Sequence, residues 1–285
     1  MKLINKQSNN TMRISLLLIF FVLTHNGLIA QEQKETQFAK AIEDNSYFIE
    51  EAYNQEDGVV QHVSNGYYKM SPTKDFMYSF TQEWPVGSQK HQFSYTIGYS
   101  WLNSNSANGI PDFLINYRYQ LTGHDDFITL APRFSVILPT GNENKGLGNG
   151  VLGYQFNLPM SKRLTNAFAC HANVGLTLLP GVKTVDLSNN ENKNNLLNIN
   201  MGASVIWLAT QKLNLMFEIL HNIYRIPNPS NKMVTVHETI VSPGFRYAID
   251  VKQLQIVPGI AIPTTIRDGK SDTGIFFYLS FEHPF

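Results

Sequence analysis

The sequence predicts an all-β fold: an antiparallel transmembrane β-barrel of about 12 strands, preceded by an N-terminal signal peptide. Three observations predict it. The chain ends inside an alternating segment, with Ile275, Phe277, Leu279, Phe281, His283 and Phe285 on one face. Phe276, Tyr278, Ser280, Glu282 and Pro284 occupy the other. On a soluble domain such a terminal aromatic strand is an exposed, adhesive edge; a barrel closes it against the first strand. Second, from Gly58 onward the chain breaks into period-two segments of roughly ten to fourteen residues separated by turn residues. Third, aromatics make up 12% and charged residues only 15% of the chain, yet outside the first thirty-odd residues no apolar run reaches the length of a spanning helix. A chain of this composition that enters a membrane does so as strands.

Residues 1–30 read as a signal peptide. Lys2, Lys6 and Arg13 form a positive start and Ile14–Leu23 a short apolar core, with cleavage expected after Ala30 although Leu28 stands where a small residue is usual. No Cys lies near that site, so nothing there can be lipidated. Residues 31–57 read as an N-terminal periplasmic segment, polar and helical up to Asn45, then denser in aromatics from Ser46 to Tyr53. It is expected to pack on the barrel mouth, with a plug entering the lumen as the alternative. Residues 58–285 are the barrel. The whole chain carries 22 basic and 22 acidic residues, and the signal segment takes three basic ones with it. A near-neutral mature chain gives no electrostatic case for nucleic acid. Cys170 is the single cysteine, so there is no disulfide framework and no paired-cysteine metal or redox site. His62, His171, His221 and His237 lack metal-ligand spacing, and no cofactor is expected. Gly146-Leu-Gly-Asn-Gly150 precedes a strand rather than joining strand to helix, so it is not a dinucleotide fingerprint.

The expected strands are 58–70, 74–86, 90–102, 109–121, 127–138, 149–159, 165–178, 195–208, 212–223, 236–248, 253–263 and 273–285. Connectors near Val86–Gln89, Thr122–Asp126, Met160–Leu164, Ala209–Gln211 and Ile249–Lys252 are short. Those at Pro139–Gly148, Pro180–Asn194, Tyr224–Thr235 and Thr264–Asp272 are longer and rich in Asn, Gly, Pro and charge. Short periplasmic turns and long external loops are the pattern of outer-membrane barrels, and only Ser71–Thr73 departs from it. A soluble β-sandwich also gives alternating strands, but it leaves the alternating connectors and the terminal Phe285 without a cause.

Alternation also sorts the charges. Glu83, Arg118, Arg133, Glu218 and Arg246 fall opposite the aromatic stripe, and His171 joins them. Glu238 is placed with this inward set although it shares its face with Val236 and Ile240. A guanidinium facing hydrocarbon at mid-membrane costs about 2–4 kcal/mol, so these seven residues are expected to line the pore while Tyr117, Phe134, Phe217 and Phe245 face lipid. They act either as a constriction that selects solutes or as ion pairs that stabilise a filled barrel.

His62-Val-Ser-Asn-Gly66 is similar to the His-x-Ser-Asn-Gly segment of outer-membrane phospholipase A, a twelve-stranded barrel. On a strand His62 and Ser64 share a face, so the ring could serve the hydroxyl as base. That family also uses an Asn on the next strand, where this sequence is read as offering Thr73, Lys74, Asp75 and Phe76, and its surrounding Arg and Trp signature is missing here.

The middle of the chain carries a second resemblance. Gly109-Ile-Pro-Asp112 opens a strand and leads to Tyr117-Arg-Tyr119, and Leu130–Gly141 leaves its strand through Pro-Thr-Gly. Gly148-Asn-Gly150 precedes the next strand, and the turn Ser161-Lys-Arg-Leu leads to Ala172-Asn-Val-Gly175. Over about 109–178 these motifs resemble the outer-membrane barrels assigned to the MetA pathway of phenol degradation, with Pro111 departing from that family's double-glycine form. The resemblance implies an outer-membrane channel or transporter for passive uptake of small compounds, hydrophobic or aromatic ones among them. The alternatives are a lipid hydrolase using His62 and Ser64, and a structural barrel that presents external loops. The expected partners are outer-membrane lipid, an unspecified small-molecule substrate, and the barrel-assembly machinery, whose C-terminal signal the strand ending at Phe285 resembles.

Overall fold

A computed structural model describes residues 46–123, 126–252 and 254–284. The signal peptide, residues 31–45 and Phe285 lie outside the described residues. One antiparallel sheet of 16 strand segments forms the wall. They are β1 (Val59–Lys69), β2 (Phe76–Pro85), β3 (His91–Leu102), β4 (Ala107–Gly109), β5 (Phe113–Tyr119), β6 (Thr129–Leu130), β7 (Arg133–Leu138) and β8 (Gly153–Arg163). They continue as β9 (Phe168–Val185), β10 (Glu191–Leu208), β11 (Leu213–Pro227), β12 (Met233–Tyr247), β13 (Ile249–Val251), β14 (Leu254–Ala261), β15 (Thr264–Arg267) and β16 (Lys270–Pro284). The sheet closes on itself: β16 pairs β1 from Val59↔Pro284 to Lys69↔Gly274. No edge remains to be satisfied, which is what a hydrocarbon solvent demands.

The segments make 12 staves because proline interrupts some of them. Pro111 separates β4 from β5, Pro132 separates β6 from β7, and Pro263 separates β14 from β15. Proline has no N–H for the ladder, so pairing lapses there and resumes beyond it. Every one of the twelve expected strands coincides with a stave.

Side chains alternate between two solvents. On β11, Leu215, Phe217 and Ile219 are exposed outward, whereas Asn214, Met216 and Glu218 are buried. Outward aromatic and aliphatic side chains continue around the barrel through Tyr117, Phe134, Phe156, Val205, Trp207, Phe245 and Phe277. That apolar exterior makes this a transmembrane barrel of the outer-membrane type.

The connectors correct the sequence reading in one respect. Three of the four long connectors are mostly strand. β9 and β10 are 18 residues each and turn at 186–190. β11 and β12 turn at 228–232, and β15 and β16 at 268–269. A membrane strand needs only about 9–11 residues, so these hairpins continue past the apolar band. Their Asn, Lys and Thr residues signalled water, not irregular backbone. Asn194 Nδ2 donates to Asn231 Oδ1 (2.7 Å) and Leu187 N to Pro229 O (2.9 Å), joining two hairpins to each other.

The fourth, 139–152, is a true loop, and it explains the sequence motifs around it. Asp112 accepts hydrogen bonds from Gly141 N (3.0 Å), Asn149 N (2.8 Å) and Asn149 Nδ2 (3.0 Å). Gly148 permits this approach: a Cβ there would lie 2.3 Å from Asp112 Oδ1 and 2.8 Å from the Gly141 Cα. Leu147 is buried beside Gly109. Gly109, Asp112, Gly141 and Gly148-Asn149 are thus one loop clamp. Asp112→Ala leaves three donors without their acceptor, at about 1–3 kcal/mol. We expect proteolysis within 139–152 of the variant while the barrel keeps its heat-dependent gel mobility; an uncut loop would show that the clamp is dispensable.

Candidate functional site in the barrel lumen

Residues 46–56 run around the inside of the barrel, and the wall is shaped to receive them. Tyr47 packs its ring on Phe276 (5.4 Å between centroids) and Tyr278 (5.8 Å), and its hydroxyl donates to Phe245 O (2.5 Å) and Ile260 O (3.2 Å). The recess exists because Gly244 and Gly259 face it: a Cβ on either would come within 2.5 and 2.7 Å of the Tyr47 side chain. Gly202 makes the corresponding recess for Ile49, whose Cδ1 would lie 2.5 Å from a Cβ there. Inward glycines on β10, β12 and β14 therefore serve as sockets.

Polar side chains of the wall satisfy the backbone of this belt. Glu218 Oε1 accepts from the N–H groups of Tyr47 (3.0 Å), Phe48 (2.9 Å) and Ile49 (3.2 Å). Three converging donors around one carboxylate oxygen form a small anion nest, held by charge-assisted bonds. Asn173 bonds both backbone groups of Glu50, accepting from its N–H and donating to its carbonyl (2.8 Å each). Ala52 N donates to Ser161 Oγ (2.7 Å), which in turn lies 2.7 Å from His171 Nδ1. Gln120 accepts from Asn54 N and donates to Ala52 O (2.8 Å each).

Arg118 is the most heavily engaged of these groups. Its guanidinium donates to Asn54 Oδ1 (2.8 Å), Glu51 O (3.1 Å), Tyr53 O (2.5 Å) and Gln92 Oε1 (3.1 Å), and lies 3.4 Å from Glu51 Oε1. Arg118 and Glu51 are 5% and 1% exposed, so removing one partner strands a buried charge at a cost of about 3–5 kcal/mol. Arg133 holds Glu50 at 2.9 Å in a wetter setting, with side-chain exposures of 17% and 29%.

Of the residues expected to face the pore, Arg118, Arg133, His171 and Glu218 meet at this belt. Glu83 stands behind it and accepts from Gln92 Nε2 (2.8 Å). Arg246 is 2% exposed and lines a small cavity with Gln61, Gln255, Tyr278, Ser280 and Glu282. Glu238 is apart from them at the outer mouth, 3.1 Å from Arg267 and from the Tyr224 hydroxyl. Sequence reasoning missed Tyr47, Glu50, Glu51 and Asn54, and left 31–57 as mouth tail or plug. The contacts of 46–56 are lumenal. The inward glycines carried the signal, since a run of Gly202, Gly244 and Gly259 on one inner wall marks a close approach.

His62 and Ser64 sit on the outer surface. The His62 ring stacks on Phe281 (4.5 Å) and Phe80 (5.9 Å), and its Nε2 lies 3.1 Å from His283 Nε2. The Ser64 hydroxyl is 3.2 Å from the Tyr78 hydroxyl, and no hydrogen bond joins it to His62. The facing residues differ from those read in the sequence. The register places Gln82 beside His62 and Phe80 beside Ser64, because the β1–β2 turn is longer than the residue spacing implied.

These features define a class: a closed transmembrane barrel with a polar bore that its own N-terminal segment occupies. No family model matches the chain, and no curated protein matches it. Among solved structures it is similar to an outer-membrane channel from Pseudomonas putida F1, at 11% identity over 82% of this chain and 98% of that one, with a TM-score of 0.59. It is also similar to the NanC porin, at 12% identity over 79% of this chain and 100% of that one, with a TM-score of 0.50. At such identities the likeness establishes the outer-membrane barrel fold.

The sockets give the belt a direct test. Gly244→Leu fills the Tyr47 recess, and we expect a thiol reagent to reach a cysteine at position 52 at least about tenfold faster than without the substitution, in a Cys170→Ser background. Equal labelling rates in a folded barrel would show that the recess does not hold the belt.

Proposed function

We propose that this protein is an outer-membrane channel for passive movement of small solutes, and that residues 46–56 are its internal plug. The observation that carries the reading is the chemistry of the bore. Its centre is held by single hydrogen bonds and ion pairs around a coil, not by interlocked apolar side chains, so the occupant can leave without unfolding the wall. Glu83, Arg118, Arg133, His171, Glu218, Glu238 and Arg246 are the pore-lining set of this proposal. Membership of the MetA-pathway barrels belongs to the same reading, supported by the way the family-like motifs converge on the Asp112 clamp. The hydrolase alternative gains no support from the contacts of His62 and Ser64, which engage other partners.

A crosslink tests the plug. Ser46 Oγ and Ser204 Oγ are 2.5 Å apart, so cysteines at these positions, in a Cys170→Ser background, are placed to join belt to wall. In planar bilayers we expect the oxidised double variant to conduct at most about a tenth as often as the same protein after reduction. Equal currents in the two states would refute the plug, and no current from the native protein would refute the channel.

A further inference from the structure

Following the strand register across the inner wall picks out one row of side chains. Ser94 on β3 faces Asn116 on β5, which faces Ser135 on β7. Ser135 faces Gln155 on β8, which faces Thr177 on β9, which faces Asn198 on β10. The row starts near the short-turn end of β3 and reaches Asn198 well up β10. Because barrel strands tilt, a row perpendicular to them also climbs along the axis. All six side chains are amides or hydroxyls, and none is charged or apolar.

The row is only partly satisfied by its own members. Asn116 Nδ2 donates to Ser94 Oγ (3.1 Å) and Gln155 Nε2 to Thr177 Oγ1 (3.0 Å). Asn116 Oδ1, Ser135 Oγ and Asn198 Oδ1 have no hydrogen-bond partner, nor does Asn157 Oδ1 beside the row. Asn116, Ser135 and Asn157 are 2%, 0% and 5% exposed. Oxygens so enclosed call for donors. The nearby charges do not answer that need, because Arg133 is held by Glu50 and Glu83 accepts from Gln92.

We propose that this row is the binding track for a neutral polyhydroxylated solute, a sugar or polyol. The inference rests on the channel reading and adds the class of cargo to it. Hydroxyl groups both donate and accept, so they match free amide oxygens and serine hydroxyls without a charge to neutralise. An anion would face a row of acceptor oxygens, and an aromatic ring would leave them unpaired in a dry bore. This chemistry differs from the hydrophobic or aromatic cargo that the family resemblance implies. The track also touches the plug. Arg133 Nη2 donates to Gln155 Oε1 (2.6 Å) while the same guanidinium holds Glu50, so a solute that takes Gln155 competes for a group that secures the belt.

The test reads the ion current of the purified full-length protein in a planar bilayer while raffinose, glucuronate or phenol is added. Raffinose should interrupt the current in a concentration-dependent way, and the other two should not. Asn116→Leu and Ser135→Val should each raise the raffinose concentration needed by about fivefold to tenfold, the equivalent of one lost hydrogen bond. Heat-dependent gel mobility reports whether each variant is folded, and Gln155→Leu replaces Asn116→Leu if the latter does not assemble. Interruption by phenol or glucuronate in place of raffinose overturns the proposal, as does raffinose block that no variant alters; in both cases the channel itself stands. Absence of any current from the native protein removes the channel reading and this inference together.

Discussion

Hydrocarbon accepts no hydrogen bonds, and the rest of this structure follows from that constraint. Each backbone N–H and C=O in the wall must find a partner in a neighbouring strand, so the sheet closes from β16 onto β1 and has no free edge. Closure fixes two faces with opposite solvents. Phe134 and Phe217 can stand outward only because Arg133 and Glu218, one residue away, stand inward. The closed wall then encloses a bore lined by polar groups. The belt fills part of it, and its own backbone meets the same demand through side chains: Glu218, Asn173, Ser161, Gln120 and Gln92 do for residues 47–55 what a neighbouring strand would do.

The two halves of this arrangement differ in how they can be undone. Opening the wall would expose a ladder of backbone groups to lipid, each at several kcal/mol. Releasing the belt exchanges hydrogen bonds at about 0.5–1.5 kcal/mol each, with the buried Arg118–Glu51 pair as the larger exception. A fixed wall with a separable occupant is the physical basis for reading the molecule as a gated channel rather than a solid barrel. The glycine sockets place a limit on this freedom, since they recognise Tyr47 and Ile49 by shape.

Legibility from sequence divides along the same line. The wall was readable because alternation is a consequence of two solvents: Leu197, Ile199, Met201, Val205 and Trp207 against Asn198, Asn200 and Ser204 admit one register. The inward placement of Arg118, Arg133 and Glu218 followed from it without further information. The belt was not readable, because a coil satisfied by side chains has no period, and Ser46–Tyr53 resembles any aromatic-rich segment. The extended hairpins were misread for a different reason. Asn and Lys in 191–195 report contact with water, and strands in water look like loops when polarity alone is judged. The pairing of His62 with Gln82 depended on turn length, which residue patterns set only loosely.

The central claim is that residues 47–49 are held inside the barrel by Glu218, and amide hydrogen exchange in lipid nanodiscs tests it most directly. The account predicts that the Tyr47, Phe48 and Ile49 amides exchange slowly, and that Glu218→Ala accelerates them by at least about tenfold while the strands stay protected. Exchange of these three amides at the rate of a free chain in the native protein, beside fully protected strands, would contradict it.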